Sequence, residues 1–410
     1  MSAASPLEAT AGGLRTAASW RARLHHGEVR LDPHRNGLNL LRLLLASSVL
    51  FAHGFYISGD GIGPHLAGDN VGGWAVYGFF AISGYLITGS RFNKPFWEYL
   101  LHRVARIFPA FLVCLVLIAF AFAPVGYLRQ HGSLDGFLTT PTTPFSYVVS
   151  NAGLRVSAYG VAHTPGPVPY PEVWNGSLWT LYYEFLCYLI IGVVAGFAIV
   201  RRSPVPLAIA WFLSVALHVG MGRVPVALLG NGDIVLLAKL LPFFLAGALL
   251  FQVRKRLVLT WPAALLAVLA SLVLIWLGHG WGQQVASLLL AYAVLWLGAV
   301  MPCPELIRRN DISYGVYIYA FPVQQLLALY GAYTWNLALF DVVAAIATVP
   351  LAMASWVVVE RPLMRLARRT RSRRTADATP VEEVRLADST WDETPTAHAA
   401  PTAPAEPPAR

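Results

Sequence analysis

Residues 39–59 read Asn39-Leu-Leu-Arg42-Leu-Leu-Leu-Ala-Ser-Ser-Val-Leu-Phe-Ala-His53-Gly-Phe-Tyr-Ile-Ser-Gly59. The run matches the ~20 residues that an α-helix needs to cross a bilayer. Only Arg42 and His53 interrupt it with ionisable side chains. It predicts a transmembrane helix, and the same reading extends along the chain. Further apolar stretches fall at 71–90, 107–127, 178–200, 204–221, 233–252, 258–277, 282–301, 312–331 and 337–359. The fifth begins beside Pro204 and Pro206, and the eighth opens on polar Gln283 and Gln284.

Composition supports this reading. Of 410 residues, 56% are hydrophobic and only 12% charged, against roughly 25% charged in ordinary soluble domains. That shortfall excludes a soluble globular enzyme, a disordered chain and a disulfide scaffold. The expected fold class is all-α: a polytopic membrane protein of about ten transmembrane helices. The net charge of +9 would suggest nucleic acid in a soluble protein, but here the cations lie between apolar runs. Cys114, Cys187 and Cys303 have no metal-ligand spacing, so no metal is expected.

The cations alternate. Arg15, Arg21, Arg23, Arg30 and Arg35 precede the first stretch, and Arg91, Lys94, Arg103 and Arg106 separate the second from the third. Arg201 and Arg202, then Arg254, Lys255 and Arg256, then Arg308 and Arg309 mark later connections on the same side. Segments 60–70, 278–281 and 332–336, on the other side, hold no Lys or Arg. The positive-inside rule then puts both termini in the cytoplasm. No signal peptide is visible. The expected organisation is a cytoplasmic segment at 1–38, a membrane domain at 39–365 with a long outward loop at 128–177, and a disordered cytoplasmic tail at 366–410. The tail is rich in Ala, Thr, Pro and Glu. A loop of that length is often functional. The expected location is the inner (plasma) membrane, crossed many times.

Ionisable groups inside spans are costly and usually functional. Those here are Arg42, His53, Glu184, Lys239, Asp341 and, near an outer end, His218. Arg42 and His53 are eleven residues apart, close to three helical turns and about 16 Å, and so share a face. Each also has a plain reading: Arg42 snorkels to the surface, and His53 bonds a neighbouring backbone carbonyl. Glu184 is expected in the outer half with His53, as its partner or in a structural ion pair with Lys239 or an Arg. Arg91, Arg103 and Arg106 form a cationic cluster at the cytoplasmic surface. It suits either anionic lipid headgroups or phosphate recognition.

The Arg42-x10-His53 spacing occurs beside Gly78-Phe-Phe-Ala-Ile-Ser-Gly-Tyr-Leu-Ile87 and His102-Arg-Val-Ala-Arg-Ile-Phe-Pro109. The stretch from Asn175 to Glu184, then Ser313-Tyr-Gly-Val-Tyr317, then Val359-Glu-Arg-Pro362 follow in order. Over about 39–365 the chain resembles the acyltransferase-3 family, integral membrane O-acyltransferases that modify bacterial surface polysaccharides and some small molecules. It departs at Ala320, where many members carry His two residues before Pro322.

The resemblance implies an acyl-CoA donor, commonly acetyl-CoA, and a hydroxyl acceptor on a carbohydrate or glycolipid. The expected catalytic residues are His53, Glu184 and Arg42, with His53 as general base and Glu184 orienting it. The expected donor-binding residues are Arg103, Arg106 and Arg91. The lipid bilayer is a further partner and nucleic acid is not. A transporter or flippase for a polyprenyl-linked glycan is the rival reading, and a secondary metabolite is the rival acceptor.

Overall fold

The computed structural model describes residues 28–32, 36–221, 232–278 and 280–367. The chain divides into two compact units, Met1–Met364 and Arg365–Arg410. The expected disorder of 368–410 and the segment 1–27 lie outside the described residues.

The described residues are mostly helical, with almost no sheet. In chain order the helices are α1 (Leu38–Ser58), α2 (Val71–Phe92), α3 (Phe96–Leu117), α4 (Ala123–His131), α5 (Pro144–Asn151) and α6 (Trp179–Val194). Next come α7 (Ala198–Arg202), α8 (Val205–Met221), α9 (Gly232–Gln252), α10 (Trp261–Leu277) and α11 (Gly282–Val285). The last are α12 (Ser287–Val300), α13 (Glu305–Arg309), α14 (Ser313–Leu329) and α15 (Leu337–Ala354). Wider π turns at Ile118–Phe122 and Ser355–Glu360 extend α3 and α15. A two-residue hairpin pairs β1 (His65–Leu66) with β2 (Asp69–Asn70), with His65 opposite Asn70.

Every apolar stretch expected from sequence coincides with a helix. Among the described residues, five helices are long and apolar enough to cross a membrane: Leu38–Ser58, Val71–Phe92, Phe96–His131, Gly232–Gln252 and Leu337–Ala367. The others are shorter. The stretch 178–200 stops as a helix at Val194 and resumes at Ala198. The stretch 282–301 breaks at Ala286, where Gln283 turns aside to donate to the Ala67 carbonyl (2.8 Å) and Asp69 (3.1 Å).

Many large apolar side chains face outward. On α10, Leu266 is 66% and Trp276 77% exposed. A face of this kind fits lipid rather than water. Polar groups turn inward instead: Gln284, Gln324, Thr348 and Glu360 are buried. Inward polarity with outward hydrocarbon is the arrangement that a bilayer imposes.

Helix α2 is the hub, packing on α1 on one side and on α9 on the other. Its crossing with α9 is backbone on backbone. A Cβ on Gly84 would stand 1.9 Å from the Phe244 carbonyl oxygen, and one on Gly247 would stand 2.0 Å from that of Ala81. Small residues permit such close approach. Helix α1 packs on α14 and α15 as well as α2, so the Arg42–His53 segment is flanked by three helices. Its end is closed by Gly59 at φ 87°, a left-handed conformation that glycine adopts without strain.

The loop 128–177 is ordered. It contains α5, capped by Thr143, and is pinned to α14 by Gln325, which donates to the carbonyls of Tyr170 (2.7 Å) and Val173 (2.8 Å). Asn175, on the sequon-like Asn-Gly-Ser, donates to the Ile318 carbonyl at 2.8 Å and is fully buried. That excludes it as a glycan carrier in the folded chain.

Candidate active site

His53 lines a cavity of about 290 Å³. Tyr56 comes from the same helix, Asp69 and Asn70 from the hairpin, Tyr170 and Gly176 from the long loop. The His53 ring meets Phe321 edge-on, with centroids 4.9 Å apart. Its Nδ1 is buried and has no hydrogen-bond partner among the described residues. The plain reading, a histidine satisfied by a backbone carbonyl through that nitrogen, is therefore not what the structure shows. An unsatisfied buried polar atom calls for an explanation, and a polar cavity beside it offers one.

A carboxyl group lies close by on α15. Asp341 presses against the backbone of Gly54, where a Cβ would come within 2.3 Å of its Oδ1. Gln324 donates both to Asp341 (3.1 Å) and to the Leu50 carbonyl (3.0 Å). The run Leu50–Gly54 is thus held against α14 and α15 by one amide and one carboxyl. Sequence reading singled out Asp341 but gave it no role. Gly54, a small residue beside the histidine, was the available signal.

Glu184 is elsewhere. Its Oε1 accepts from Ser83 (2.7 Å) and Tyr188 (2.6 Å). It lines a separate, tight cavity of about 30 Å³ with Arg42, Ser313 and Tyr314. The expected Glu184–His53 pairing has no hydrogen bond to support it. Nor does Glu184 pair with Lys239, which meets Asp69 at 2.7 Å instead. Helix α6 starts at Trp179, one residue after the expected boundary.

The arginines divide by partner. Arg42 and Arg106 share Asp311 at 2.5 and 2.8 Å, and Arg106 also meets Glu360 at 2.7 Å. Ser313 donates to Asp311 (2.5 Å) and Ser355 to Glu360 (3.1 Å). Arg106 lies between the rings of Tyr314 and Trp356. Burial alone would push the Asp311 carboxyl up, but the Arg42 and Arg106 guanidiniums hold it below the usual carboxylate range. Arg42 therefore does not snorkel; it ties α1 to the turn before α14. Arg106 is an internal ion-network residue rather than a free cation at a mouth. Arg91 is committed too, donating to the carbonyls of Gly192 (2.7 Å) and Lys94 (2.9 Å).

Arg103 is different. Its Nε is buried without a partner, and it forms no ion pair among the described residues. It lies within electrostatic reach of Glu184, Tyr188 and Tyr99. Of the three expected donor-binding arginines, it alone keeps a guanidinium uncommitted to a carboxylate or a carbonyl in the described structure. Asp311 and Glu360 were not foreseen as partners, although both lie within or beside motifs quoted above. Ala320 is buried in α14. No group of His, Cys, Asp and Glu among the described residues has the makings of a metal site.

A helical core with a histidine cavity on one side and a carboxylate–arginine pocket on the other has the parts of a membrane-embedded group-transfer enzyme. The chain belongs to the acyltransferase-3 family, whose acyltransferase domain matches residues 35–357. It is similar to an O-acetyl transferase of Shigella phage Sf6, 28% identical over 345 residues that cover 80% of this chain and 95% of that protein. It is also similar to nodulation protein 10 of Rhizobium leguminosarum bv. viciae, 27% identical over 372 residues that cover 81% and 94%. No solved structure gives a significant match.

Proposed function

We propose that this protein is a multi-pass O-acetyltransferase of the inner membrane. It moves an acetyl group from acetyl-CoA to a hydroxyl of a cell-surface carbohydrate. The observation that carries the reading is His53, with an unpartnered buried nitrogen on the wall of a polar cavity. Family membership supplies the acyl-transfer chemistry, and the relative named an O-acetyl transferase supports the acyl group.

In this reading ten helices cross the bilayer with both termini in the cytoplasm. The alternation of cations between spans supports that frame. The acceptor enters the His53 cavity, roofed by the long loop. At about 290 Å³ it lies at the small end of the roughly 300–1,000 Å³ usual for ligand pockets, suited to one sugar unit. The donor approaches from the side of Arg42 and Glu184, where Arg103 offers charge to its phosphates. His53 removes the acceptor proton as the hydroxyl oxygen attacks the thioester carbon. The new C–O bond forms, the C–S bond breaks, and the proton returns to the departing thiolate. An imidazole takes up a proton at one ring nitrogen and gives it back in a later step, which is the chemistry both transfers need. Arg42 holds α1 in register through Asp311, and Glu184 lines the donor pocket. They act by positioning, at a distance from the acceptor hydroxyl.

The test is His53→Ala in membranes with matched expression, following label from acetyl-CoA to glycan. Loss of about 10²–10⁴-fold in turnover is expected for a general base. Normal turnover would remove His53 from the mechanism. Mass spectrometry of surface glycans with and without the gene identifies the acceptor by the lost acyl mass.

A further inference from the structure

The two cavities have a common wall: Val76, Thr180 and Tyr317 line both. The Tyr317 hydroxyl donates to the Ser177 carbonyl at 3.0 Å and meets the Thr180 hydroxyl at 2.5 Å, a contact in which either oxygen can donate. Phe79 braces the Tyr317 ring edge-on, with centroids 5.8 Å apart. The phenol is therefore fixed by two hydrogen bonds and one ring contact, all to buried or half-buried groups. It stands on α14, between the Arg42 cavity and the His53 cavity.

The cavities differ about tenfold in volume, near 30 Å³ against 290 Å³. A water molecule needs roughly 10–15 Å³ of such space. The small cavity thus holds about two waters, the room of a methyl group and a carbonyl oxygen. Its walls beside Tyr317 are apolar: Val76, Phe79, Phe80 and Leu181.

We propose that the small cavity is the acyl subsite and that Tyr317, fixed by Thr180, sets the length of acyl chain the enzyme transfers. The proposal rests on the donor and acceptor placement of the preceding section. The thioester carbon faces the His53 cavity along the shared wall of Val76, Thr180 and Tyr317; a two-carbon acyl group fits beside the phenol ring, and a four-carbon chain would overlap it. In fitted apolar pockets one methylene is worth about 10–200-fold in discrimination, so two should exclude butyryl strongly.

The experiment uses the full chain in native membranes, with labelled acetyl-CoA and butyryl-CoA as alternative donors and label on glycan as readout. The wild type should strongly prefer acetyl. Tyr317→Ala should raise the butyryl-to-acetyl ratio of kcat/KM by about tenfold or more. Tyr317→Phe, which keeps the ring and drops the hydroxyl, should hold the ratio within about threefold. If Tyr317→Ala fails to accumulate, Val76→Ala, on the same wall, should raise the ratio in its place. An unchanged ratio in these enlarged variants overturns the proposal, as does a wild type that uses both donors equally. If the wild type deposits label from neither donor, the acyl-CoA reading beneath it fails first.

Discussion

Arg103 and Arg106 are three residues apart on one helix and look equivalent in sequence, yet their surroundings separate their roles. Arg106 meets two carboxylates, whereas Arg103 meets none among the described residues. Removing one partner of a buried ion network strands the others and costs about 3–5 kcal/mol. Arg106→Ala or Asp311→Asn should therefore lower the melting temperature of the detergent-purified protein, whatever the donor concentration. Arg103→Ala should leave melting nearly unchanged and raise the apparent KM for acetyl-CoA more than it lowers kcat. Equal loss of stability in the Arg103 and Arg106 variants would refute this division. The sign of the pH effect follows from Asp311, whose carboxyl is held low by its arginines. The pair stabilises the fold above the ordinary carboxylate range, and that contribution fades as pH falls through the lowered value.

At the scale of the element, the α2–α9 crossing is the tightest constraint. Gly84 and Gly247 meet backbone carbonyls at less than van der Waals distance for any added carbon, and backbone cannot swing aside as a side chain can. Gly84→Ala should force the helices apart and destabilise by at least the 1–3 kcal/mol typical of overpacking. Reduced thermal stability of the purified variant checks it, and wild-type melting would show that the crossing is looser than described. Gly84 was visible in the Gly78–Ile87 stretch, but its partner helix was not. Helix-helix contact depends on which faces meet, and the apolar stretches are apolar all round.

At the scale of the molecule, the distribution of charge carries the proposed topology. Cation-rich and cation-poor connections alternate along the chain, with only Arg129 and Arg155 in 128–177, so reporter fusions in 60–70, 128–177, 278–281 and 332–336 should all report the outer side. Fusions beside Arg201, Arg254 and Arg308 should report the cytoplasm. A fusion on the wrong side would reduce the ten-span frame to the five helices whose length alone suffices. The shorter helices α6, α8, α10, α12 and α14 are the ones at issue. Two of them adjoin breaks in the helix, at Ala195–Gly196 and at Ala286, and α14 carries Pro322 within it.

The sequence by itself determined the class of protein and the positions of the helices. Low charge, apolar runs of membrane length and regularly placed cations are local properties that survive without knowledge of contacts. It also determined which few side chains repay attention, because ionisable groups in apolar runs are conspicuous. Only the tertiary structure decided how those groups pair. It joined Arg42 to Asp311 rather than to His53's surroundings, gave Glu184 to Ser83 and Tyr188, placed Asp341 against Gly54, and set Tyr317 between two cavities. Each of these pairs except Glu184 with Tyr188 joins residues far apart in the chain. Which carboxylate meets which cation depends on helix rotation and depth, and a shift of one residue turns a helical side chain by about 100°.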